Sequence, residues 1–218
     1  MLNQLCQGGL IVRNYICVFF LVISALSTFP NVASGKEHKS SGQLLLNVTE
    51  NIPLDKENNW QFLAQGTFLF DITSSTQQLF GYFGPQFSFG NTSIWLLGGG
   101  YFFPNCGLSA LGSIWVEHKM LENKLSVFLE SDAYFPVRDK VDEEPTMKQY
   151  YILGVVNYAF TGWKLGITTE QFFTKDAWLE NAIGPTLTIN KVTFWLAYDL
   201  TPEDNKANGI LLRVIFNP

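Results

Sequence analysis

Residues 60–71 read WQFLAQGTFLFD, and this stretch decides the fold. Trp60, Phe62, Ala64, Gly66, Phe68 and Phe70 form one set, apolar or Gly throughout. Gln61, Leu63, Gln65, Thr67, Leu69 and Asp71 form the other, with amides, a hydroxyl and a carboxylate among them. A strand turns successive side chains to opposite faces, whereas a helix repeats its apolar positions three and four residues apart. The spacing therefore predicts a β-strand with one apolar face and one mixed face.

The same period recurs along the chain. Leu79, Gly81, Phe83, Phe87 and Phe89 alternate with Gln78, Tyr82, Gln86 and Ser88. Leu125, Val127, Leu129, Ala133 and Phe135 are set against Ser126, Glu130 and Asp132, and Trp163, Leu165 and Ile167 against Lys164, Thr168 and Glu170. Towards the C-terminus Val192, Phe194, Leu196, Tyr198 and Leu200 alternate with Thr193 and Asp199, and Ile210, Leu212, Val214 and Phe216 with Arg213. Ser93–Phe103, Leu108–His118, Lys148–Phe160 and Ala182–Asn190 fit the pattern less cleanly. The reading gives about ten strands of about 9–13 residues, longer than the globular average of about 5–6 and close to the 9–11 of a tilted membrane-spanning strand.

A membrane helix is the competing reading. Between Asp71 and Glu117 no residue is charged, and Ile94–Val116 is long enough to span. Yet Gly98, Gly99, Gly100, Pro104, Gly107 and Gly112 fall inside it. Each Gly costs about 1 kcal/mol in a helix and a Pro about 3, so two strands joined at 104–107 are expected instead. Ser93–Phe103 is apolar on both faces, which predicts that part of the interior is dry.

Connections carry a second signal. Thr201–Gly209, Thr174–Asn181 and Pro136–Met147 read as long, and Asn190-Lys191 and Thr161-Gly162 as tight. With an even strand count and both ends on one face, the long connections share the other face. Aromatics gather near strand ends, at Trp60, Phe135, Tyr150, Phe160, Trp163, Tyr198 and Phe216. Over Asn59 to Phe216 the pattern resembles the small bacterial outer-membrane β-barrels as a class. That resemblance implies an all-β, closed, antiparallel up-and-down transmembrane barrel with short periplasmic turns and longer external loops. It also implies a lipid bilayer as partner and residence in a bacterial outer membrane.

Composition agrees with export and narrows function. The 218 residues carry 15% charged side chains, 15% aromatics and 19 Phe, a balance opposite to that of disordered chains. A net charge of −5 excludes a nucleic-acid partner, whose phosphates require a basic surface. Arg13, the apolar run Ile16 to Leu26 and the small residues Val32-Ala33-Ser34 predict a signal peptide over residues 1–34. Residues 35–58 read as a polar arm with a short strand at Leu44-Leu45-Leu46, and 59–218 as the barrel. Cys6 and Cys17 fall within the leader, so the remaining Cys106 has no intramolecular disulfide partner.

If the apolar sets face outward, Glu130, Asp132, Lys164, Glu170, Asp199 and Arg213 face the interior and form a candidate lumen polar network. Charges in a narrow barrel must pair or meet water. Asp199 is the expected partner of Arg213, from the hairpin that folds about Asn205. Glu130 and Asp132, two apart on one face, are the sole candidate acid–base pair. No Ser-His-Asp arrangement, metal-ligand spacing or cofactor motif is present. Gly84-Pro85 and Gly184-Pro185 predict bulges. Three functions remain: a structural or surface-interaction barrel without catalysis, a narrow porin-like channel or conduit for a small molecule or lipid, and a soluble exported ligand-binding barrel.

Overall fold

A computed structural model of the chain describes residues 41–57, 59–73, 75–103, 107–138, 148–174, 178–200 and 209–217. The chain divides into two units, Met1–Glu37 and His38–Pro218. The segment read as a signal peptide, residues 1–34, lies outside the described residues.

The second unit is a closed all-β barrel. Its strands are β1 (Ser41–Pro53), β2 (Trp60–Asp71), β3 (Thr76–Phe89), β4 (Thr92–Phe103), β5 (Gly107–Met120) and β6 (Leu125–Arg138), followed by β7 (Gln149–Phe160), β8 (Trp163–Thr174), β9 (Trp178–Ile189), β10 (Val192–Asp199) and β11 (Ile210–Phe216). Each pairs with its sequence neighbours, and β1 with β11 completes the ring. Sequential pairs are antiparallel, so an odd number of strands forces one parallel pair; it falls at the closure, where Ser41–Leu46 lies beside Leu211–Phe216.

The strand beyond the expected ten is β1, within the segment read as a polar arm. It pairs with β2 from Gln43↔Asp71 to Pro53↔Gln61. Its alternation is present but broken by Leu45 and Glu50, which hides it in sequence. Without β1 the outer edges of β2 and β11 would both present unpaired backbone groups, and closure removes them.

Connections 54–59, 90–91, 121–124, 161–162 and 190–191 gather at one end of the barrel, and the longest, 139–148 and 200–209, at the other. The connection read as long at Thr174–Asn181 is only 175–177, because β9 begins at Trp178. Eleven strands also correct the expectation that both ends share a face: β1 starts at the long-connection end and β11 finishes at the tight-turn end.

The period-two pattern sorts the walls. Phe68, Leu79, Phe83, Leu96, Ile114, Leu129, Val156, Leu165, Ile167, Ile183 and Leu196 point outward and are exposed, while their strand neighbours line the interior. Neither Gly-Pro pair produces a bulge. Pairing of β3 with β4 skips Gly84-Pro85, and that of β9 with β10 skips Gly184-Pro185, but each resumes in the same register. Proline lacks the N–H, so a ladder bond is lost without an inserted residue. Register shifts occur instead at Leu108/Ser109 and Phe172/Phe173. On the interior side, a Cβ at Gly99 would lie 1.8 Å from the Gly81 carbonyl oxygen, so the strands meet there more closely than any side chain allows.

Candidate functional site: the barrel lumen

The interior divides into an apolar sector and a polar one. Leu63, Tyr82, Leu97, Leu111, Trp115 and Tyr134 form a buried cluster, against which Phe80, Trp95, Tyr101, Phe128, Tyr151 and Phe172 pack. Trp95 and Leu97 of β4 belong to it, giving the dry region expected from that strand. The opposite wall is built of hydroxyls and amides on β1, β2 and β8–β10: Asn47, Gln65, Thr67, Thr168, Thr186, Thr188 and Thr193. Between the two lies a cavity of about 500 Å³. The indole N–H groups of Trp95, Trp115 and Trp195 have no acceptor and almost no accessible surface, so they are turned into the wall packing.

Two polar clusters bridge the lumen between non-adjacent strands. Asp132 on β6 is 2% exposed. It accepts from the Ser113 hydroxyl, from Tyr82 Oη on β3 at 3.0 Å and from Tyr134 Oη at 3.0 Å. Glu170 on β8 and Arg213 on β11 form a buried two-pronged ion pair, with Arg213 Nη2 donating to Glu170 Oε1 at 2.9 Å and Nη1 to Oε2. Tyr151 Oη donates to Glu170 Oε2 at 3.1 Å, and Arg213 Nε to Gln43 Oε1 at 2.8 Å. The guanidinium also lies 4.9 Å from the Trp195 ring centroid. Each of the three guanidinium nitrogens thus donates a hydrogen bond, the kind of compensation that burial of a charge requires.

The six residues named from sequence are distributed as follows. Glu130 lines the cavity and neighbours Asp132 and Glu170. Asp132 sits behind it, and Glu170 pairs with Arg213. Lys164 lines the cavity near the tight-turn end and is exposed. Asp199, at the end of β10, is not the partner of Arg213. Trp195, not Asp199, stands opposite Arg213, and the Asp199 N–H bonds the Gly209 carbonyl. The hairpin centre falls one residue earlier than Asn205, and four residues of strand, about 13 Å at 3.3 Å each, separate Asp199 from that level. Asp199 Oδ1 instead accepts from the Asn181 N–H at 3.5 Å.

Sequence reading missed Glu180, Tyr82, Tyr134, Tyr151, Ser113 and Gln43. Glu180 fell in the presumed loop before β9. Tyr82, Tyr134, Tyr151 and Ser113 carried the interior parity of their strands, a signal sufficient to place them inward, whereas Gln43 lies on β1, which its own pattern does not reveal. Asp132, with both oxygens accepting from hydroxyls, is committed as a hydrogen-bond anchor. His118 bonds Thr92 Oγ1 at 2.9 Å on the exposed side of the wall, away from the cavity. Among the described residues no group of His, Cys, Asp or Glu could hold a metal ion. No protein-family model, curated protein or solved structure matches the chain.

Proposed function

We propose that this chain is an exported, bilayer-spanning barrel of the outer-membrane kind, with a structural or surface-interaction role and no catalytic site. The observation that carries the reading is the outer wall, where large apolar side chains are exposed on every strand from β1 to β11. Soluble monomers rarely expose contiguous apolar patches above a few hundred Å². Length supports the same reading: β2 to β9 have 12 or 14 residues each. At about 3.3 Å per residue and a tilt near 45°, 12 residues rise about 28 Å, close to the hydrocarbon thickness of about 30 Å. The odd strand count departs from the even numbers of bacterial single-chain barrels, so the reading rests on the wall and not on the class. The Glu170–Arg213 bridge and the aromatic cluster occupy the lumen, which favours a closed barrel over an open pore.

Membrane fractionation tests the proposal: the protein should require detergent for extraction and migrate faster on gels before heating than after. In a background with Cys6, Cys17 and Cys106 replaced by Ser, single cysteines at Ser75 and Lys148 should label with an impermeant thiol reagent on intact cells. Cysteines at Glu122 and Lys191, at the tight-turn end, should label only after permeabilisation. Detergent-free extraction, with equal labelling at all four sites, would overturn the reading.

A further inference from the structure

The middle of the lumen holds more acidic than basic side chains. Among the described residues, Glu170 and Glu180 lie beside one guanidinium, that of Arg213, and Glu130 and Asp132 lie beside each other on β6. Arg213 is engaged by Glu170. Glu117, nearer the tight-turn end, has Lys119 at 3.3 Å. Glu130 faces the cavity directly, and its surroundings are apolar and partly aromatic: Trp115 stands opposite it on β5, Leu153 opposite it on β7, and Phe128 two residues back on its own strand. The Trp115 ring is 6.0 Å from Phe128 and 5.1 Å from Tyr82.

A carboxylate set among electron-rich ring faces recognises an organic cation. Rings attract an ammonium group through their quadrupoles, and the carboxylate supplies the countercharge in a poorly solvated site. A volume of about 500 Å³ lies within the range of small-molecule pockets. We propose that the cavity binds a small amine or quaternary ammonium compound with an apolar body, its cationic head seated at Glu130 and its body against Trp115 and Phe128. A neutral sugar also uses aromatic and amide walls, but the hydroxyl and amide wall here is bonded to itself. Thr188 bonds Thr193 at 2.9 Å, Thr67 bonds Asn47 at 2.8 Å, and Asn47 bonds Asn217 at 2.9 Å. The inference does not depend on the bilayer, since the lumen is the same in a soluble barrel, and each can fail without the other.

The test titrates benzyltrimethylammonium into the full-length folded protein, followed by tryptophan fluorescence and calorimetry, with benzyl alcohol, benzoate and glucose as controls. Saturable binding at least about tenfold tighter than benzyl alcohol is expected, with none for benzoate. Glu130→Gln should weaken it about tenfold or more, while Lys191→Gln, on the exposed 190–191 turn and outside the cavity lining, should leave it unchanged. Should Glu130→Gln fail to fold, Trp115→Phe, which keeps the carboxylate and weakens the ring, should still lower affinity severalfold. Equal affinity for benzyl alcohol, preference for benzoate or glucose, or no binding of the ammonium probe would each overturn the proposal.

Discussion

Replacing Glu170 with Gln should cost the folded barrel about 3–5 kcal/mol, the usual consequence of leaving a buried charge without its partner. Glu170 and Arg213 are 3% and 6% exposed, so little solvent reaches the guanidinium to replace the lost carboxylate. Arg213→Lys should also be strongly destabilising, because one ammonium cannot reproduce two parallel bonds to Glu170 and a third to Gln43. The double change Glu170→Gln with Arg213→Gln should recover part of the loss, since each single variant strands the other group. Asp199→Asn, outside this pair, should cost no more than about 1 kcal/mol. Urea unfolding followed by tryptophan fluorescence measures all of these. If Glu170→Gln proved as stable as the parent, the ion pair would not hold the lumen together.

The second large effect concerns the outer wall. Leu196 and Ile114 are 46% and 53% exposed and lie well inside their strands. In lipid vesicles, Leu196→Arg or Ile114→Arg should cost about 2–4 kcal/mol, the penalty for a cation near the bilayer midplane. On the water-facing surface of a soluble barrel the same changes should stay within about 0.5 kcal/mol. Thr193→Ser, inside the lumen and bonded to Thr188, keeps its hydroxyl and should be neutral in either setting. Unfolding the three variants from vesicles separates the two environments. Tolerance of Arg at both outer positions would remove the bilayer.

The strand faces were legible in sequence because they depend only on parity. Once Phe68 and Leu196 are outward, Thr67 and Trp195 must be inward, and no tertiary information is needed. The strand number was less legible, because β1 sits in a polar neighbourhood where Leu45 and Glu50 interrupt the alternation. Its place in the barrel is decided by the partners it closes between and not by its own pattern. The partner of Arg213 was not legible at all. Asp199 is near it in sequence, but Glu170 reaches it across the lumen from three strands away. Such contacts depend on the radius and stagger of the closed barrel, which no hairpin reveals. Glu180 was hidden for a simpler reason, since a strand beginning at Trp178 had been read as loop.

The parallel seam sets the order in which this molecule can be completed. Ten of its eleven strand pairs join neighbours along the chain, and each can zip from a local hairpin. The eleventh joins residues 170 positions apart, as in Gln43 and Arg213. It does so through a short parallel ladder, the geometry that is weaker per residue. Kinetics should follow: contacts of high sequence separation form late, so a curled sheet with two free edges precedes the ring. In pulsed thiol labelling during refolding, cysteines at Leu45 and Ile215 should stay reactive after those at Leu111 and Ala133 are protected, and simultaneous protection would contradict this order. Until that last step the nascent sheet is a template for other chains, and its hazard of misassembly is concentrated at a single six-residue joint.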